Sequence, residues 1–140
     1  MAIILDADVV IQGKRGVFDL GGWCQEQSDE TFAMAAVTVA ELWHGVERSA
    51  GALRAKRERY LRSLLTTLPI LPYSEPTAYL HARLWETLAA RGAMIGFYDV
   101  MVAATALERG WPVATFNVRH FAAVPARRRR RRCSNLGASA

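Results

Sequence analysis

Cysteine is scarce in this chain. Cys24 and Cys133 are its only two, with no CxxC pair, which excludes a disulfide framework and a thiolate zinc site. Long apolar runs are missing too. None approaches the roughly 18 residues that a membrane helix requires, and the N-terminus lacks the basic region and apolar core of a secretion signal. Both absences predict a cytoplasmic protein with no membrane contact. His44, His81 and His120 lie too far apart for a zinc pattern and read as surface or packing residues. No G-x-S-x-G motif marks a serine nucleophile.

What is present suits one compact domain, since 140 residues with 51% hydrophobic and 22% charged side chains can bury a single core. The net charge of +5 is unevenly spread. Arg127 to Arg132 supply six of the 18 basic residues, and without them 12 face 13 acidic ones, a net of −1. A nearly neutral domain over 1–125 and a basic, disordered tail over 126–140 follow. The tail can attract a polyanion or simply stay solvated.

Along the domain, "AIIL" (2–5) reads as a buried strand, "VFDLGGWCQEQ" (17–27) as a glycine-weakened helix and "FAMAAV" (32–37) as a second strand. A helix follows from Thr38, where Thr38 and Glu41 have capping-box spacing. The segment 51–68 is helical, with Leu53, Tyr60, Leu61, Leu64 and Leu65 inward; its arginines form either a wet face or a phosphate-facing one. "PILPY" (69–73) is a short strand, Ser74 caps a long helix ending at Gly92, and another helix carries Asp99 and stops at Gly110. "PVATF" (112–116) closes the strand set, ahead of a helical turn over 117–121. Trp43, Trp85 and Trp111 read as core. Strands alternating with helices predict a parallel α/β sheet covered on both faces.

Ligands of such sheets gather at the carboxyl ends of the strands. Asp6 and Asp8 follow the first strand, Glu41 opens the helix after the second, Asp99 opens the helix leading into the last, and Asn117 follows that last strand. Each has a structural use: turn capping for Asp6 and Asp8, the capping box for Glu41, the helix dipole for Asp99 and helix capping for Asn117. Together they make a second reading, in which clustered carboxylates share a hard divalent cation, Mg²⁺ or Mn²⁺, and hydrolyse a phosphodiester.

Four segments in order carry a family resemblance: "IILDADVVI", "VTVAELWHGVERS", "IGFYDVMVAATALERG" and "VATFNVRHFAAVP". The chain resembles the PIN-domain family, and within it the VapC-type toxins of bacterial toxin–antitoxin pairs. The resemblance implies a three-layer α/β/α sandwich around a mostly parallel sheet, and a metal-dependent endoribonuclease. It implies metal ligands at Asp6 and Asp99, Glu41 and Asn117 completing the catalytic set, and Asp8 and Thr115 in support. It also implies an RNA substrate, a homodimer, a cognate VapB-type antitoxin, and operator DNA reached only through that antitoxin. The chain departs from the family pattern at Ala7, where a hydroxyl residue is usual, at Tyr98, and at the arginine run, which stands where a short apolar strand is usual.

Two other readings compete. "IILDADVV" also resembles the opening of haloacid-dehalogenase-type phosphatases, but Lys14 and Lys56 are the only lysines and no acidic pair follows in the second half. A non-catalytic PIN-like binding module in an antitoxin and operator complex is the alternative of a different class.

Overall fold

The computed structural model describes residues 2–122 and 124. The predicted basic tail over 126–140, Cys133 and the altered end of the family pattern lie outside the described residues. Four short strands and seven helices make up the described chain. In chain order these are β1 (Ala2–Leu5), α1 (Ala7–Lys14), α2 (Leu20–Glu26), β2 (Thr31–Ala35), α3 (Ala36–Glu47), α4 (Gly51–Thr67), β3 (Ile70–Leu71), α5 (Glu75–Ala90), α6 (Phe97–Arg109), β4 (Val113–Ala114) and α7 (Val118–Ala122).

All pairings are parallel and the strand order is β3-β2-β1-β4, so the first strand is interior and the last lies beside it. Ile4 pairs with Ala33 on one side and with Val113 on the other. Alternation along the strands then splits the core in two. Ala2, Ile4, Ala33 and Ala35 face one layer, with Leu84 and Leu88 of α5, Val102 and Ala103 of α6, and Phe121 of α7. Leu5, Met34 and Ala114 face the other, with Val9 and Val10 of α1, Leu42 and Val46 of α3, and Leu61 of α4. Helices on both faces of a parallel sheet make the predicted three-layer α/β/α sandwich. No helix among the described residues is long and apolar enough to cross a membrane.

Several local readings need correction. An unpredicted helix, α1, begins directly after β1, so Asp6 is its N-cap rather than part of a turn, and accepts a hydrogen bond from Ala7 N at 2.8 Å. Helix α3 starts two residues before Thr38, with Ala35 as N-cap and no side-chain cap. The capping box is therefore absent; Thr38 is fully buried, its Oγ1 without a partner. The box forms instead at α5, between Ser74 and Thr77. Leu53 and Trp85, read as inward-facing, are 52% and 50% exposed. On α4 Arg54 pairs with Glu47 and Arg62 with Glu58 on the wet face, whereas Arg57 is part-buried and donates to Gly45 O and Ser49 Oγ. Gly110 ends α6 at φ 67°, a left-handed cap that a side chain would strain.

Candidate active site

Because β1 and β4 are adjacent and parallel, the residues leaving their carboxyl ends meet at one edge of the sheet. Asp6 and Asp8 come from the β1–α1 junction, and Thr115 and Asn117 from the segment between β4 and α7. Thr115 Oγ1 lies 2.8 Å from Asp6 Oδ2 and 3.1 Å from Asp8 Oδ2, so one hydroxyl bridges two carboxylates. The same Asp8 oxygen accepts from the backbone amides of Phe116 and Asn117, each at 3.1 Å. These bonds span more than a hundred residues of sequence and lock the first helix onto the last strand. Asp8 Oδ1 is buried with no partner.

The other half of the site comes from α6 and α7. Asp99 stands in the first turn of α6, where its carboxylate makes no side-chain cap. It meets His120 Nδ1 at 2.5 Å, and the same nitrogen lies 2.8 Å from Asn117 Nδ2. A chain of contacts thus runs from Asp6 through Thr115, Asp8, Asn117 and His120 to Asp99. His120 joins this network, although the sequence reads it as a surface or packing residue. Its signal was a spacing of three from Asn117, which puts both on one side of a helical turn.

Electrostatics tie Glu41 to the same place. Burial raises the Glu41 carboxyl above its ordinary pKa, and the charges of Asp99 and Asp8 raise it further. Asp6 is 4% exposed. Its pKa is pushed up to about 6 by burial first and Asp8 second, against the lowering effect of the Thr115 bond. Asp8 is raised as well, chiefly by burial. No lysine or arginine among the described residues forms an ion pair with any of the four acids.

Like charges held together without a counter-cation favour protonation or a bound cation. The donor set is all hard oxygen, and the orphaned Asp8 Oδ1 adds a buried, unused acceptor, so these residues suit Mg²⁺ or Mn²⁺ rather than a softer ion. The fit is not a closed cage: among the described residues no three His, Cys, Asp or Glu side chains already stand close enough to hold an ion. The arrangement is an open acidic edge at the carboxyl ends of β1 and β4.

Residues 3–126 match the PIN domain family. The chain is 26% identical over 133 residues to Ribonuclease VapC of Rickettsia bellii, covering 89% of this chain and 92% of that protein. It is 30% identical over 120 residues to Ribonuclease VapC10 of Mycobacterium tuberculosis, covering 85% of each. Among solved structures, VapBC2 from Rickettsia felis, bound to a DNA fragment from its promoter, superposes with a TM-score of 0.81 at 23% identity, covering 90% of this chain and 95% of that one.

Proposed function

Since the chain belongs to the PIN-domain family, and within it to the VapC ribonucleases, we propose that it is a metal-dependent endoribonuclease, the toxin of a VapBC-type pair, cutting RNA at the edge formed by Asp6, Glu41, Asp99 and Asn117. The observation that carries this reading is that Asp6, Asp8 and Asp99 are linked through Thr115, Asn117 and His120, that Glu41 feels the charges of Asp99 and Asp8, and that no lysine or arginine among the described residues pairs with any of the four.

Asp6 and Asp99 are the residues that would hold Mg²⁺ or Mn²⁺. When bound, such an ion supplies Lewis acidity, lowering the pKa of a water and offsetting charge on the phosphoryl oxygens. The chain's own residues do the rest. The amides of Phe116 and Asn117 fix Asp8, while the Thr115 hydroxyl and the Ala7 amide hold Asp6 in one orientation. Glu41, with its raised proton affinity, receives the proton of the attacking water at a carboxylate oxygen. Asn117 offers its side-chain amide to the scissile phosphate region. The partners that follow are an RNA substrate, a VapB-type antitoxin, a second copy of the chain, and operator DNA through the antitoxin, all in the cytoplasm. Phe97 and Tyr98, 63% and 47% exposed just before Asp99, and Trp85, 50% exposed and stacked on His81 next to Phe97, supply apolar surface for such assembly.

The test is incubation of total bacterial RNA with the purified protein in Mg²⁺ or Mn²⁺, in EDTA, and with Asp99→Asn. Discrete cuts that vanish in EDTA and in the variant are the expected result. Intact RNA in every lane, alongside retained binding to a small antitoxin-like partner, would replace the nuclease with a binding module.

A further inference from the structure

His120 belongs to none of the roles above, yet it makes the shortest contact in the site, 2.5 Å from Nδ1 to Asp99 Oδ2. Its place is set by its neighbour. Phe121 is buried in the core beneath α6, which pins the short helix α7 and leaves His120 aimed at the first turn of α6. The Asn117 amide lies 2.8 Å from the same ring nitrogen. An ionised Asp99 needs a donor at that nitrogen, so the bond that satisfies it is Nδ1–H to Oδ2, and the Asn117 amide then turns its Oδ1, not its Nδ2, toward the same N–H.

A carboxylate that binds a cation through one oxygen is commonly oriented by a hydrogen bond to the other, and the outer partner then governs metal affinity. Resting on the metal reading above, we infer that His120 is the positioning residue of Asp99: its Nδ1–H takes Oδ2 and reserves Oδ1 for the divalent cation. The role requires a donor at the Nδ1 position, not an imidazole as such. Asparagine places its amide nitrogen near the Nδ1 position. Glutamine carries its own further out, near Nε2.

The experiment is Mn²⁺ binding to the full chain, read by electron paramagnetic resonance of free Mn²⁺, with thermal unfolding of each variant alongside. His120→Ala and His120→Gln weaken Mn²⁺ binding by about tenfold or more, and His120→Asn stays within about threefold of the parent. On an Asp99→Asn background, removing His120 adds less than about a twofold further loss, because its effect runs through Asp99. Equal affinities for the parent, the Gln and the Asn variants would overturn the inference while leaving the metal site standing. So would an Asn variant as weak as the Gln variant. A parent that binds no Mn²⁺ removes the metal reading itself, and His120's role with it. The Asn and Gln comparison decides the matter even if the alanine variant fails to fold.

Discussion

Asp6→Asn is expected to make the protein more stable and inactive. Asp6 is nearly fully buried, and its carboxyl pKa rises from 3.8 to about 6 on folding. A raised acid favours its protonated form in the native state, so the fold carries no penalty below about pH 3.8, loses stability through the window up to about 6, and carries the full penalty above it. A shift of roughly two units corresponds to about 3 kcal/mol at pH 8, and to about half that near pH 5. Asparagine keeps the shape and the acceptor for the Ala7 amide while removing the charge. Urea unfolding in EDTA at pH 8 and pH 5, with circular dichroism as the probe, measures the difference directly. For an m-value near 2 kcal/mol/M, the midpoint moves up by about 1.5 M at pH 8 and by about half as much at pH 5. An Asn variant no more stable than the parent at pH 8, or a gain indifferent to pH, would refute the claim that Asp6 is held ionised at a cost.

Thr115→Val removes the hydroxyl that lowers the Asp6 pKa, so the acidic limb of the cleavage pH profile moves to higher pH and the rate at neutrality drops by about tenfold. A profile with an unmoved acidic limb would count against the bridge. Thr38→Val replaces a fully buried, unpartnered hydroxyl with a methyl and should leave the melting temperature unchanged or raise it; a drop equivalent to more than about 1 kcal/mol would mean the hydroxyl has a partner in solution. Leu88→Ala empties a fully buried position in the α5 layer and should cost about 2–5 kcal/mol in denaturant unfolding.

The layers and the site's acids were legible because they rest on strong signals. Apolar runs too short for helices gave strands, and Gly110 and Ser74 marked helix ends correctly. The acids stood at strand ends, where a parallel sheet gathers them. Helix α1 was not legible because "VVI" (9–11) reads as a continuing β-branched run; only tertiary packing of Val9 and Val10 against Leu5 and Ala114 makes it helical. The capping box at Thr38 failed for a similar reason. Packing and alanine propensity extend α3 back to Ala36, which carries Thr38 into the core and leaves Glu41 free to face Asp99 and Asp8. The link from His120 to Asp99 has no local signal, because Asp99 lies 21 residues away on another helix.

Asp6 and Thr115, which touch each other, lie 109 positions apart. The site therefore cannot exist in any nascent chain that ends before β4 and α7, however well its first hundred residues have folded. At a synthesis rate of about 5–20 residues per second, the residues from Asp6 to Thr115 take roughly 5–20 s to make, and the site is incomplete throughout. A protein that cuts RNA while its own messenger and ribosome are still attached benefits from that order of assembly. The site is completed only when β4 and α7 have joined the fold.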